Sequence, residues 1–259
     1  MKQPLSFTIS HLVERNFDMN RRLALGVLTC NRLSLLNDTL MSLMAFNPAI
    51  SSLILVDSDS TEEVQKQNRV IARKYGMRYV LNEPSSSTDK NVRIELGVRR
   101  LIREVLHEEA DICCLLQDDW RCMGGIPIDS AFNFLNENRD IGQIRMRDFR
   151  YDDTFDGGSS VNFVTRRKIR FTEHTIVGSS VFEVGELHWV DSCNLMLPRV
   201  LESINKSFVS ETNRMIAFHS MYPRNAQLRP GIFHHTGPCR IRLDLREKGF
   251  FADANIPQN

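Results

Sequence analysis

The sequence predicts an α/β fold: a mostly parallel central sheet flanked by helices, with a smaller antiparallel layer on the C-terminal side. Three observations carry this prediction. Short apolar runs alternate with longer amphipathic stretches through residue 122. Polar side chains gather directly after three of those runs. Beyond them the pattern breaks into shorter pieces separated by turn residues.

The first run, LALGVLT (residues 23–29), is nearly unbroken and too short for a typical helix, as a strand buried on both faces would be. RLSLLNDTLMSLMAF follows, with Leu36, Leu40, Leu43 and Met44 at helical spacing. SLILVD (52–57) reads as the second strand. Ser60 then offers an N-cap for TEEVQKQNRVIARKYG, a helix closed by Gly76. MRYVLN is a third strand, and the polar loop EPSSST leads into a long helix over about residues 89–108. Ile94, Val98, Leu101, Ile102, Val105 and Leu106 form its apolar stripe. DICCLLQ is a fourth strand. Strands that alternate with helices in this way make a parallel sheet.

The second half is read in smaller pieces. IGQIRMRD alternates apolar and polar residues, predicting a strand with one wet face. YDDTFDGG is a turn-rich loop, and VNFVTRRKIRF and TIVGSSVFEV are strands of the smaller antiparallel layer. LPRVLESI and ETNRMIAFHSM are helices, and RPGIFHHTGPCRIRL is a final strand or loop. No repeat or linker divides the chain. Residues 1–259 are therefore expected to form one domain, with a nucleotide-binding half over 21–122 and an acceptor-side half over 123–259.

Charge and composition exclude several classes. With 33 basic and 32 acidic residues the net charge is +1, which gives no footprint for a nucleic-acid partner. Six cysteines lack zinc spacing and sit largely in apolar runs, predicting reduced, buried thiols. The N-terminus has no continuous apolar core of a secretory signal, and no run approaches the roughly 20 apolar residues of a membrane span. A cytoplasmic protein is expected, free to associate peripherally with a lipid-linked acceptor. No G-x-S-x-G elbow and no G-x-G-x-x-G follow a strand, which disfavours a serine hydrolase and a dinucleotide-dependent dehydrogenase.

In a parallel sheet, ligands bind beyond the carboxyl ends of the strands. Thr29 and Asn31, Asp57 and Ser58, and Asp118 and Asp119 all fall on that edge. The adjacent carboxylates repel each other, so the doublet is either a solvated strand end or a seat for a cation. Mg²⁺-type ions typically use one or two carboxylates plus substrate phosphates. His234 and His235, near Arg240 and Arg242, supply imidazole for an Mn²⁺-like ion and guanidinium for phosphate. Trp120 is a core residue or a flat wall for a sugar ring. Arg145, Arg147, Arg150, Arg166, Arg167, Lys168 and Arg170 make either a solvated face or a site for an anion. Arg145 and Arg147, two apart, would share one strand face.

Several of these stretches together resemble the GT-A fold, family-2-like glycosyltransferases. LGVLTCNRLSLLNDTLMSL is similar to their opening strand and turn, and LILVDSDST to the second strand. LLQDDW is similar to the Asp-x-Asp element, here in an adjacent form, NLMLPRVLESI to the segment before the acceptor-side helix, and HHTG to the late metal-site histidine. The matches run in order from about Leu23 to Gly237.

The resemblance implies a nucleotide-sugar donor, with a UDP-sugar the first expectation, a saccharide or glycan acceptor, and a divalent metal, Mn²⁺ or Mg²⁺. It implies that Thr29, Asn31, Asp57 and Ser58 lie at the nucleotide, and that Arg32 either contacts the nucleotide or covers the helix surface. Asp89 and Lys90 would approach the diphosphate, with Arg240 and Arg242 as further phosphate ligands. Asp118 would serve the ribose or the metal's water shell. Asp119 would bind the metal with His235, or with His234 as a near-equal choice. The usual Glu-Asp acceptor motif is absent in plain form. Glu211 is the first candidate for the base and Asp191 the second, in an inverting transfer of the kind used in polysaccharide biosynthesis. The alternatives are a sugar-phosphate nucleotidyltransferase, although no glycine-rich phosphate loop follows the first strand, and a non-catalytic carbohydrate-binding protein on the same scaffold.

Overall fold

The computed structural model describes residues 21–82, 90–147, 171–187, 192–206 and 211–236, and only the backbone at 90, 91 and 211–215. β1 (Leu23–Thr29) is buried at all seven positions, as its unbroken apolar sequence requires. It pairs in parallel with β2 (Ser52–Asp57) on one side and β4 (Ile112–Gln117) on the other. β3 (Arg78–Leu81) extends the sheet beyond β2, also in parallel.

The connecting helices are α1 (Leu33–Phe46), α2 (Glu62–Lys74) and α3 (Lys90–Leu106). α2 carries Glu62 and Glu63 in its first turn and Arg73 and Lys74 in its last, which complements its dipole. Its cap is Thr61, whose hydroxyl accepts from Val64 N at 3.4 Å. The expected cap, Ser60, is instead used across the loop, accepting from Asn31 N at 2.9 Å. The left-handed backbone of Gly76 (φ +66°) ends the segment as expected.

α3 lies on β1 and β2, and Val98, Leu101, Ile102 and Val105 are its buried stripe, each worth roughly 1.5–3 kcal/mol of burial. Ile94 lies outside that stripe, 41% exposed, so the buried face is narrower than the sequence pattern. The helix comes this close because β1 carries glycine opposite it. A Cβ on Gly26 would fall 2.6 Å from both Leu101 Cδ1 and Val105 Cγ2.

After β4 come β5 (Trp120–Cys122), α4 (Ile128–Glu137) and β6 (Ile141–Arg145), then a hairpin of β7 (Phe171–Val177) and β8 (Ser180–Gly185). β9 (Asn194–Met196), α5 (Pro198–Lys206), α6 (Glu211–Met221), β10 (Arg224–Arg229) and β11 (Phe233–His235) complete the described elements. Nine strands form one sheet in the order β3-β2-β1-β4-β9-β6-β10-β8-β7, and β5 and β11 pair antiparallel beside it. The small antiparallel layer is thus the β5–β11 pair. TIVGSSVFEV, expected in that layer, belongs instead to the β7–β8 hairpin, which turns at Gly178 and extends the main sheet, while YDDTFDGG and all of VNFVTRRKIRF but Phe171 lie outside the described residues. β5, α4, β9 and β10 went unread in the sequence; β5 and β9 are three residues each, too short to show a period.

The expected wet face of β6 is corrected as well. β6 has no wet face: all five residues are buried, with Arg145 1% exposed and Arg147, just beyond it, 8%. α4 packs on β6, and Phe218 and Tyr222 crowd Gly142 so closely that a Cβ there would meet them at 2.6–2.7 Å. The polar residues that alternate along this strand are enclosed with the rest, in the interior of the sheet between β9 and β10. Arg150, Arg166, Arg167, Lys168 and Arg170 lie outside the described residues.

The cysteines behave as small hydrophobes. Cys113, Cys114, Cys122 and Cys193 are buried, and burial pushes the Cys113 thiol up to about 12, while Cys30 is exposed, contrary to expectation. No described helix is long and apolar enough to cross a membrane.

Candidate active site

β1, β2 and β4 run in parallel, so their carboxyl ends share one edge, with Thr29 opposite Asp57 and Leu28 opposite Gln117. The chain turns over this edge in hydrogen-bonded steps: Ser58 N donates to Thr29 O, Asn82 N to Asp57 O and Asp118 N to Leu28 O. Asn31 (φ +53°) and Asp59 (φ +67°) occupy the left-handed region in two of these turns, a conformation most readily taken by Asn, Asp and Gly.

Asp118 and Asp119 are 2% and 5% exposed, so the doublet is no solvated strand end. Asp118 Oδ2 accepts from Thr29 Oγ1 at 2.6 Å and from Cys30 N at 3.3 Å, and Oδ1 from Arg32 Nη1 at 3.3 Å. Asp119 Oδ2 accepts from the same Arg32 nitrogen at 2.6 Å and lies 3.3 Å from His235 Nε2. Asp119 Oδ1 is enclosed without a hydrogen-bond partner. The backbone is pinned as well: Thr39 Oγ1 donates to Asp118 O, and Thr236 N and Oγ1 both donate to Asp119 O.

Like charges this close are tolerated because their environments differ. Burial pushes the Asp118 carboxyl up to about 6, against the pull of the Thr29 hydroxyl and the Arg32 guanidinium, with Asp119 adding to the rise. Burial pushes Asp119 up too, but the His235 imidazole and Arg32 outweigh it and hold this carboxyl below its usual range. Asp119 is the carboxylate held ionised; Asp118 is the one close to titrating. Arg32 therefore bridges the doublet rather than merely covering the surface of α1.

The strand pairing separates the two histidines. His235 stands opposite Trp120, with ring centroids 4.9 Å apart in an edge-on arrangement, and His234 stands opposite Arg121. Successive strand residues face opposite ways, so His235 faces Asp119 and His234 projects from the other side. Trp120 is 5% exposed, the core position its apolar surroundings suggest.

Among the described residues no three His, Cys, Asp or Glu side chains converge. A divalent cation here would therefore have two side-chain ligands among the described residues, Asp119 and His235. The enclosed, unpartnered Oδ1, on a carboxylate whose other oxygen lies beside an imidazole, fits such an ion, which takes its remaining ligands from phosphate oxygens and water.

At the next strand end Asp57 is fully buried. Its Oδ2 accepts from Asn68 Nδ2 and Tyr79 OH, both at 2.9 Å, and its Oδ1 is enclosed with no partner. Burial and the Asp57 carboxylate push the Tyr79 phenol well above its usual range. Ser58 is buried against Gly97, where a Cβ would come within 2.7 Å of its Oγ. Asn31 spends its side chain on the scaffold, accepting from Thr61 N at 2.9 Å and donating to Asp59 O at 3.3 Å. Thr29, 1% exposed, likewise serves Asp118. The structure thus gathers Thr29, Asn31, Arg32, Asp57, Ser58, Asp118, Asp119 and His235 on one edge.

Lys90 and Glu211 open α3 and α6 and are described by backbone alone. Asp89, Asp191, Arg240 and Arg242 lie outside the described residues. Sequence reasoning missed Asn68, Tyr79, Thr39 and Thr236. Asn68 had a signal: it precedes the buried Ala72 by one helical turn, on the face α2 turns inward.

No protein-family model matches the chain, and no curated protein sequence is significantly similar to it. Solved structures do match. Glucosyl-3-phosphoglycerate synthase from Mycobacterium tuberculosis, in complex with Mn²⁺, UDP and glucosyl-3-phosphoglycerate, superposes with a TM-score of 0.52 at 12% identity, over 99% of this chain and 90% of that one. The same enzyme with Mn²⁺ and UDP-glucose gives 0.51 at 11% identity, over 93% and 81%. With Mg²⁺ and UDP it gives 0.51 at 12%, over 93% and 82%. At these identities the likeness is one of fold: the chain has the GT-A architecture, a large, mostly parallel sheet between helices with a small antiparallel pair beside it.

Proposed function

We propose that this protein is a metal-assisted glycosyltransferase that moves a sugar from a nucleotide-diphosphate sugar, a UDP-sugar first, to a hydroxyl of a saccharide or glycan acceptor. The observation that carries the proposal is Asp119: a buried carboxylate held ionised, with one oxygen unpartnered and the other beside His235, at the sheet edge shared with Asp57. Glucosyl-3-phosphoglycerate synthase, an enzyme of the same fold, holds Mn²⁺ or Mg²⁺ with UDP.

In this reading Asp119 and His235 hold a divalent cation, which, when bound, neutralises charge on the departing diphosphate. Asp118, fixed by Thr29 and Cys30 N, receives the ribose or the ion's water shell. Arg32 yields its place on the carboxylates and turns to the nucleotide phosphates, a target suited to its planar fork. The free oxygen of Asp57 accepts an N–H of the base, with Tyr79 and Asn68 fixing its carboxylate and Ser58 alongside. Asn31 shapes the turn that borders the base. Lys90, at the start of α3, Asp89 before it, and Arg240 and Arg242 complete the diphosphate site.

Glu211, at the start of α6, takes the proton of the acceptor hydroxyl as general base, with Asp191 second. One displacement with one base inverts the anomeric centre. Polysaccharide assembly in the cytoplasm is the setting that suits such a reaction.

A second reading has its own support. Arg32 pairs with both carboxylates without any metal, as a glycan-binding protein on the same scaffold would need. Titration calorimetry with UDP, with and without Mn²⁺, separates the two. The transferase requires Mn²⁺-dependent UDP binding that Asp119→Ala abolishes while its circular dichroism stays unchanged. Binding of free glycan with indifference to UDP and Mn²⁺ establishes the binding protein instead.

A further inference from the structure

Arg147 is a buried cation that the reaction described above does not use. β6 and β4 both run antiparallel to β9, so the end of β6 reaches the same edge of the sheet as Asp118 and Asp119. Just beyond that end, the backbone at Arg147 is fixed by Gln227 Nε2, which donates to Arg147 O at 2.7 Å, and by a bridge to Phe233. Its guanidinium carbon lies 4.9 Å from the centre of the Trp120 ring. Trp120 in turn contacts the ring of His235, whose Nε2 is 3.3 Å from Asp119. A line of contacts therefore runs from the proposed metal ligands through Trp120 to Arg147.

This arginine is 8% exposed, its Nε is enclosed with no hydrogen-bond partner, and no carboxylate pairs with it among the described residues. The Asp119 carboxylate is already shared between Arg32 and His235. Taking a cation out of water costs more than one contact with an aromatic face returns. The position is thus built around a charge whose partner is not in the described protein. A guanidinium fork with open donors selects a planar or tetrahedral oxyanion.

We propose that Arg147, resting on Trp120, is the receptor for a phosphate oxyanion on the substrate: a phosphate of the acceptor or the donor's diphosphate. The assignment deepens the transferase reading and rests on it for the meaning of the site. Its substrate-class consequence is that transfer takes place beside a negative charge read by this arginine.

The test uses the full chain and inorganic phosphate, followed by calorimetry and by tryptophan fluorescence, with Trp189→Phe in every protein so that the signal is that of Trp120. Wild-type protein should bind phosphate, and Arg147→Gln should bind it at least about 10-fold more weakly, the loss expected for a charge-assisted hydrogen bond. Arg147→Lys, which keeps the charge and loses the fork, should fall between them, and it serves as the folded comparison if the glutamine variant fails to fold. Saturating UDP with Mn²⁺ separates the sources. Phosphate that still binds beside UDP assigns the site to the acceptor, and phosphate displaced by UDP assigns it to the diphosphate. Equal phosphate affinity in all three proteins, or none in the wild type, overturns the proposal. If UDP and Mn²⁺ fail to bind while phosphate binding still depends on Arg147, the anion site stands and the transferase reading falls.

Discussion

Replacing Thr29 by valine removes one hydroxyl and keeps the outline of the side chain. Thr29 is 1% exposed, and its hydroxyl donates at 2.6 Å to Asp118 Oδ2. A hydrogen bond to a charged group is worth about 1.5–3 kcal/mol and one to a neutral group about 0.5–1.5 kcal/mol. Asp118 changes from neutral to charged near pH 6, so both values apply to the same bond on either side of that pH. Thr29→Val should therefore cost about 1.5–3 kcal/mol at pH 7.5 and about 0.5–1.5 kcal/mol at pH 5.

The direction follows from linkage. The folded carboxyl titrates at about 6 against an ordinary 3.8, so between those values the folded chain holds a proton that the unfolded chain has released. Asp118 thus makes stability fall as pH rises through that window, and losing the Thr29 donor raises the folded value further and carries the fall toward neutrality. For a chain of this size 1 kcal/mol moves Tm by roughly 2–4 °C. Calorimetric melting should show a drop of roughly 3–12 °C at pH 7.5 and roughly 1–6 °C at pH 5. An equal drop at the two pH values would refute the reasoning, because it would place the hydroxyl's role in packing and not on the carboxylate.

Tyr79→Phe removes one of the two donors to the buried Asp57 and should cost about 1–3 kcal/mol in urea unfolding with an unchanged slope; an unchanged midpoint contradicts the network. Gly97→Ala would put a Cβ 2.7 Å from Ser58 Oγ and 3.0 Å from Leu28 Cδ1. Such overpacking costs about 1–3 kcal/mol and should lower Tm, and with it UDP affinity, since it displaces the end of β2. Glu211→Gln should lower kcat about 100-fold or more while leaving the donor's Kd near the wild-type value; parallel losses in both would give Glu211 a structural role.

The parallel half was legible because each element there is long enough to show its period. β2 runs over the residues its sequence run marks, and α3 follows its stripe, losing only Ile94 to solvent. The doublet's place was legible too, since a polar residue after a buried parallel strand has only one edge to occupy. What could not be read was which polar groups meet. Tyr79 reaches Asp57 through strand register, and Arg32 reaches the doublet through the turn at Asn31. Arg145 and Arg147 misled because an alternating pattern marks which residues share a face but not whether water lies on it. The choice of His235 over His234 needed the β5–β11 register, and three-residue strands advertise none.

The Thr236–Asp119 bond spans 117 positions of the chain. Synthesis runs from the N-terminus, so residues 21–122, doublet included, are made well before the imidazole of His235. Arg32, from the turn before α1, reaches both carboxylates without any part of β11, so the two acidic groups have a cationic neighbour inside the first half of the chain, and β11 adds the imidazole to it.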